Sequence, residues 1–313
     1  MFINNASFYI PEGRLENDFF SSKYNLSHEF IYQRTGIVSR SIASEDENTN
    51  TMSVSSVEKL ITDNEDILQN LELIVGATYS PFDTVGTLAH AVQQKFSISG
   101  AMVVSISAAC SSFINSLEIV EGYFSSGKAD KALVVTAEHN SKYYNLDDPY
   151  SGYLWGDGAA SFIISNEKSD NSIEIIDIST MGLAEVDKGP EGVFLRPRDG
   201  GIRMPHGKNV FLNACKYMTE STAGILEKNN YSKQGLSYLI THQANKRITD
   251  NVRYQLEIDE SKVLTNIEKY GNTGNASSGI VLAENWDKFK DGNIIAVTVF
   301  GGGYSCGTAL LKK

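Results

Sequence analysis

The sequence predicts an α/β fold assembled from two similar halves. Apolar runs of strand length alternate with stretches whose apolar residues recur at helical spacing, all along the 313-residue chain. Three strand-like runs of the second half echo three of the first in the same order. Residues 236–242 echo 71–77, residues 294–299 echo 133–137, and residues 301–311 echo 156–164. No low-complexity linker interrupts the chain. The halves, 1–165 and 166–313, are therefore expected to pack as one body with a layer of helices between two sheets.

In chain order, residues 1–10 read as a strand stopped by Pro11-Glu12-Gly13. Residues 29–37 read as a helix ending near Gly36, a residue type that closes helices in the left-handed conformation. Residues 45–52 read as a polar loop and 53–60 as a helix. Residues 71–78 form a strand with a glycine exit, and 84–96 a second helix. Residues 103–106 read as a short buried strand. It hands over at Cys110 to a helix over 112–123, where Phe113, Ile114, Leu117, Ile119 and Val120 fall at roughly helical spacing. Residues 131–138 are another strand. A loop rich in Tyr, Asp and Pro follows, and Gly156-Asp157-Gly158 turns into the last strand of this half.

The formal net charge of −11 argues against a general nucleic-acid binder. Apolar runs stay shorter than the roughly eighteen residues of a membrane-spanning helix. Met1-Phe2-Ile3-Asn4-Asn5 lacks a basic region and a signal-peptide core. The three cysteines are far apart and odd in number, which fits neither a disulfide framework nor a zinc site. A cytoplasmic protein without a metal centre is the expectation.

Cys110 lies where a strand meets a helix N-terminus. The free amides and positive dipole end there favour a thiolate. Ala108, Ala109 and Ser111 leave room for a substrate. A lone cysteine is more often a buried core residue; what shifts the balance lies in the second half. His242 opens His242-Gln243-Ala244-Asn245 at the end of a strand, and Asn272 sits in the turn Tyr270-Gly271-Asn272-Thr273-Gly274. If the halves are related, a nucleophile, an imidazole and an amide donor face one cleft from strand-to-helix turns. His28, His90, His139 and His206 read as structural.

Taken together, these pieces resemble the type III ketoacyl-acyl-carrier-protein synthases of the thiolase superfamily over nearly the whole chain. The matching residues are Tyr9-Ile10-Pro11-Glu12, Arg34-Thr35-Gly36-Ile37, Ala108-Ala109-Cys110, Gly156-Asp157-Gly158-Ala159, His242-Gln243-Ala244-Asn245, Gly271-Asn272-Thr273 and Phe300-Gly301-Gly302-Gly303. The resemblance implies a five-layered αβαβα fold and an acyltransferase that needs no metal or redox cofactor. It implies that Cys110 takes an acyl group from an acyl-CoA or acyl-carrier-protein donor, with the amides of Cys110 and Gly302 as oxyanion hole. It implies that His242 and Asn272 then stabilise the enolate formed when a malonyl thioester, malonyl-acyl carrier protein above all, loses carbon dioxide. A homodimer acting in fatty-acid initiation or in a polyketide-like specialised pathway follows as well. The substrate contacts it implies are Phe30, Arg34, Val85, Asn140, Asn245, Arg247 and Phe300.

Departures from the family pattern bear on substrate choice. Hydroxymethylglutaryl-CoA synthases share the fold but need a catalytic Glu in the first-half loop, which here reads Gly76-Ala77-Thr78-Tyr79-Ser80. Related condensing enzymes carry a second His where Asn272 stands. The family usually has Trp at Phe30 and Arg near Pro149, which sandwich the adenine of coenzyme A, so the guanidinium face is missing here. Val85 stands where housekeeping members often place a Phe that closes the acyl pocket from the partner subunit, so a longer or bulkier acyl group is expected. Asn140 falls where an apolar pocket residue is common, which points to a polar or aromatic acyl group. Lys246, Arg247 and Arg253 share a helix face suited to an acidic carrier protein, with Lys208 and Lys216 beside it. Cys306 reads as a core residue. Two rival readings stay open. One passes the acyl group from Cys110 to an amine, alcohol or other non-malonyl acceptor. The other is an inactive partner subunit, against which the retained Cys110, His242 and Asn272 count.

Overall fold

The computed structural model describes residues 1–62 and 65–313. The chain opens with β1 (Phe2–Tyr9), β2 (Gly13–Glu16), α1 (Asn17–Tyr24), α2 (His28–Thr35), β3 (Ser39–Ile42) and α3 (Thr49–Leu60). It continues through β4 (Leu73–Ala77), α4 (Leu88–Lys95), β5 (Met102–Ile106), α5 (Ser112–Ser125), β6 (Lys131–His139) and β7 (Asp157–Ser165). Next come β8 (Ile173–Gly182), β9 (Phe194–Arg196), β10 (Gly201–Arg203), α6 (Gly207–Lys228), β11 (Tyr238–Thr241) and α7 (Lys246–Gln255). The last elements are β12 (Val263–Leu264), α8 (Ile267–Tyr270), α9 (Ala276–Glu284), β13 (Ile294–Gly301) and β14 (Ser305–Lys312).

The main strands run in two arrays, β5-β4-β6-β7-β1 and β12-β11-β13-β14-β8, with the same order of chain ranks in each. The echoing sequence segments hold equal ranks: β4 with β11, β6 with β13, and β7 with β14. Two separate sheets are expected from the sequence, but the arrays join into one ten-stranded sheet. The junction is short, with Phe2 opposite Glu174 and Ile3 opposite Ile173. Each array ends on a strand with unpaired backbone groups, and pairing those edges satisfies both.

Between the arrays lie α5 and α9. Their buried side chains share one core with Val75 and Val134 of the first array and Val297 and Leu311 of the second. The first eight residues of α9, from Ala276 to Ala283, are all buried; a helix apolar all round is covered all round. α3 and α4 cover the outer face of the first array, and α6 and α7 that of the second.

Two sequence boundaries move and one strand changes its place in the sheet. α3 starts inside the expected polar loop, because the Asn48 side chain accepts from the amides of Asn50 and Thr51 while Thr51 returns the bond in a capping box. α4 starts at Leu88 rather than near Thr84, because Asp83 Oδ1 accepts from the Val85 amide at 2.7 Å and holds that stretch as a turn. β5 is not buried: it is the edge of the sheet, mostly half-exposed, with Ser105 open. A short apolar run reads the same whether it lies in the middle of a sheet or at its rim.

Candidate active site

Cys110 occupies the elbow between β5 and α5. Ala109 before it has φ +50, a conformation that costs a non-glycine residue about 1–3 kcal/mol and persists where its surroundings impose it. Ser112 Oγ accepts from the Ala108 amide at 2.8 Å and donates to the Ala109 carbonyl at 2.6 Å. From the far array, Ser305 Oγ donates to the Ala108 carbonyl at 3.1 Å. Gly301 passes so near that a Cβ there would lie 2.9 Å from the Cys110 amide nitrogen. The amides of Gly302 and of Cys110 itself favour the charged form of the sulfur. Burial, helped by the charge of Glu138, nevertheless pushes the thiol up to about 12. The closed site therefore keeps the proton on sulfur, against the expected thiolate, because amides and a dipole end replace only part of the lost hydration.

His242 follows β11 and is buried. Its Nδ1 lies 2.7 Å from Ser277 Oγ, which also accepts from the Gln243 amide at 3.2 Å. A serine that donates its proton to Nδ1 holds the tautomer with the hydrogen on Nε2. Burial lowers the imidazole to about 4, so it stays neutral near neutral pH. Asn272 lies between α8 and α9 rather than directly after a strand, bridged to Trp155. Its Oδ1 accepts from the Gly274 amide at 3.0 Å, which turns Nδ2 away as a donor.

Two cavities meet at Cys110. The narrower, about 40 Å³, is walled by His242, Asn272, Phe300, Met204, Ala214 and other mostly apolar side chains. The wider, about 330 Å³, is walled by Tyr79, Ser107, Pro190, Val193, Phe194, Leu195 and Ile202. Cys110, Trp155, Val193 and Gly302 belong to both. Met204 also borders a surface cleft of about 700 Å³ containing Arg34, Asp147, Asp148, Arg203 and Lys208. Met204 thus joins the wall of the surface cleft to that of the narrow cavity, and the wider cavity opens toward solvent on the other side of the sulfur.

Family models for 3-oxoacyl-[acyl-carrier-protein] synthase III match residues 104–182, and for its C-terminal part residues 226–313. The beta-ketoacyl-[acyl-carrier-protein] synthase III of Clostridium perfringens is 35% identical over 97% of this chain and 96% of its own. This chain belongs to the synthase III family. Among solved structures, the 3-oxoacyl-[acyl-carrier-protein] synthase III of Aquifex aeolicus superposes with a TM-score of 0.92 at 32% identity, covering 100% of this chain and 99% of that one. The priming beta-ketosynthase of the R1128 polyketide biosynthetic pathway superposes at 0.89 with 25% identity, covering 99% and 95%. The fold is thus thiolase-like.

Against that synthase III background, the remaining expected contacts divide. Phe300 lines the narrow cavity. Arg34 lines the surface cleft, and its guanidinium sits 5.0 Å from the Phe30 ring centre, so one face of that ring is already covered by a guanidinium from the same helix. Asn140 is corrected. It is fully buried and walls neither cavity; its Nδ2 donates to the carbonyls of Gly156 at 2.8 Å and Asn272 at 3.2 Å. A polar residue at this place therefore braces Asn272 and says nothing of acyl polarity. Asn245 caps α7 by accepting from the Arg247 amide and is not among the cavity walls. Arg247 is exposed and stacks over Phe211. Val85 is 83% exposed and walls neither of the two cavities that meet at Cys110. Two of the three cations of the expected basic face on α7 are paired, Lys246 with Asp250 at 2.7 Å and Arg253 with Asp250 and Glu260.

Sequence reasoning assigns no role to Tyr79 or Glu138, because loop 76–80 is read there only for a glutamate. Tyr79 walls the wider cavity with Cys110, and Glu138 lies behind it, near enough for its charge to act on the sulfur. Glu138, on β6, accepts from the amides of Tyr79 and Ser80 and the hydroxyls of Thr78 and Ser80, and from Asn275. Burial raises it to about 7 while those donors pull it down.

Proposed function

We propose that this chain performs a decarboxylative Claisen condensation on an acyl group held by Cys110. The observation that supports this best is the convergence of Cys110, His242 and Asn272 on one narrow cavity, with a second, wider cavity on the other side of the sulfur. In the first half-reaction Sγ of Cys110 bonds to the acyl carbon and the donor's carbon–sulfur bond breaks. The thiol proton ends on the departing thiol. The amides of Cys110 and Gly302 face the oxyanion of the tetrahedral intermediate. In the second, a malonyl thioester loses carbon dioxide, and His242 Nε2 and Asn272 Nδ2 donate to its thioester oxygen as negative charge builds there. The carbanion attacks the acyl carbon, the bond to Cys110 breaks, and the sulfur regains a proton. This chemistry calls for no metal or redox cofactor.

The donor is an acyl-CoA or acyl-acyl carrier protein and the acceptor malonyl-acyl carrier protein, in fatty-acid or polyketide initiation. The carrier docks near Arg34, Arg203, Lys208 and Arg247 around the cleft. The chain acts as a cytoplasmic homodimer through the β5 edge, with Phe82 and Val85, which are 65% and 83% exposed, covered by the partner. Residues 1–165 and 166–313 are its two halves, the first carrying the nucleophile and the second the two donors. Among the described residues no helix is long and apolar enough to cross a membrane.

Steady-state kinetics with acyl-CoA and malonyl-acyl carrier protein test the reading. Ping-pong behaviour, with one carbon dioxide released per 3-ketoacyl product, is expected. Acyl transfer to an amine or alcohol without release of carbon dioxide would replace it with the rival acceptor class.

A further inference from the structure

Tyr79 leaves the end of β4 and reaches the nucleophile from the wider cavity. Tyr79 and Cys110 wall the same cavity, and each raises or lowers the other's tendency to ionise. The Tyr79 hydroxyl donates to Asn140 Oδ1 at 2.8 Å. Asn140 in turn braces the Asn272 carbonyl. Gly274, whose amide fixes the Asn272 side chain, packs so tightly on this hydroxyl that a Cβ there would overlap it. The phenol thus stands between the sulfur and the turn that carries the amide donor. Its backbone amide is anchored on Glu138 at 3.2 Å, so the ring is held from both ends.

We infer that Tyr79 is a further catalytic residue, whose hydroxyl donates a hydrogen bond to the Cys110 sulfur whenever that sulfur carries negative charge. The inference rests on Cys110 being the nucleophile. Charge appears on sulfur twice: as the thiol gives up its proton during acyl loading, and as the carbon–sulfur bond breaks and returns its electron pair at product release. While the sulfur is protonated, the phenol proton points to Asn140. When the sulfur is a thiolate, a charge-assisted bond to it outcompetes the neutral amide oxygen. The titratable groups around the sulfur are Tyr79 from the β4 exit, Glu138 from β6 and His242 from the β11 exit. Glu138 disfavours the thiolate, and His242 is neutral. Burial together with the neighbouring Cys110 and Glu138 holds the phenol well above its ordinary value, so it remains a donor across the working range.

The test is the pH dependence of Cys110 alkylation by iodoacetamide, read by peptide mass, in wild-type protein, Tyr79→Phe and Asn140→Leu. Losing a hydrogen bond to a charged group should cut the alkylation rate of Tyr79→Phe at fixed neutral pH by about tenfold to a hundredfold, with the midpoint moved to higher pH. Asn140→Leu removes the competing acceptor, so its midpoint should move to lower pH. A purely structural tyrosine would not move the two midpoints in opposite directions. An unchanged midpoint in Tyr79→Phe, or a rise in both variants, overturns the inference. Acyl loading of wild-type protein is measured alongside. If acyl donors leave Cys110 unmodified, the nucleophile assignment fails separately, while the alkylation midpoints still decide Tyr79.

Discussion

The turns that open α5 and α9 hold equal places in the two strand arrays, yet their side chains are spent differently. The turn before α5 presents a thiol on a strained elbow, with the side chains of Tyr79, His242 and Asn272 brought to it from other elements. The turn before α9 presents no nucleophile. Its Asn272 is oriented by Gly274, and its Asn275 donates to the Ala77 carbonyl at 3.3 Å and to Glu138. One turn exposes a reactive atom; the other supplies a donor and braces the loop beside that atom. Equal places in the two arrays carry different backbones and different side chains, so the chemistry resides in the residues grafted on the fold rather than in the fold.

The largest effect on this division comes from removing the thiol. Cys110→Ala should abolish acyl loading, whereas Cys215→Ala and Cys306→Ala should not, since both of those thiols pack in the core behind β14 and α6. Peptide mapping that found the acyl mass on Cys215 or Cys306 would undo the assignment.

Next comes the donor side. His242→Ala or Asn272→Ala should slow malonyl decarboxylation by roughly a hundredfold to a thousandfold, with much less effect on loading of Cys110. Because His242 titrates near 4 rather than 6.5, it is already neutral throughout the range above about pH 5. The decarboxylation rate should therefore show no inflection near pH 6.5 that depends on His242; Glu138, at about 7, is the group that titrates there. An inflection there that vanished in His242→Ala would mean the ring works as a cation.

Much of this division was legible in the chain. Cys110, His242 and Asn272 stand in short local patterns that mark turns at the ends of apolar elements, and such patterns survive reading in one dimension. What stayed hidden depends on contacts across the arrays. Asn140 is 132 positions from Asn272, the residue it braces. Glu138 reads as an ordinary strand residue until Asn275 reaches it. β5 read as buried because its apolar residues say nothing of which neighbour is missing.

Asn140→Leu sharpens the corrected role at a smaller scale. It leaves buried polar partners unsatisfied, at about 1–3 kcal/mol of stability, visible as a lower denaturation midpoint. It should slow decarboxylation while leaving the order of preferred acyl donors unchanged. A change in donor order with normal decarboxylation would return Asn140 to the pocket wall.

The smallest effect concerns Val85. If it closes the partner's wider cavity, wild-type protein should prefer medium-chain or aromatic acyl groups to acetyl, and Val85→Phe should reverse that order. Pocket discrimination of about 1–3 kcal/mol per methylene makes the shift measurable in competition assays. Equal losses for short and long donors, in a variant that remains folded and dimeric, would mean that Val85 does not line that cavity.

The central claim is tested most directly by intact-protein mass spectrometry in two stages. Incubation with an acyl donor should add one acyl mass, on Cys110. Addition of malonyl-acyl carrier protein should then discharge that mass with stoichiometric release of carbon dioxide and appearance of a 3-ketoacyl carrier. An acylated protein that malonyl-acyl carrier protein leaves loaded, but that an amine or alcohol discharges, would contradict the account.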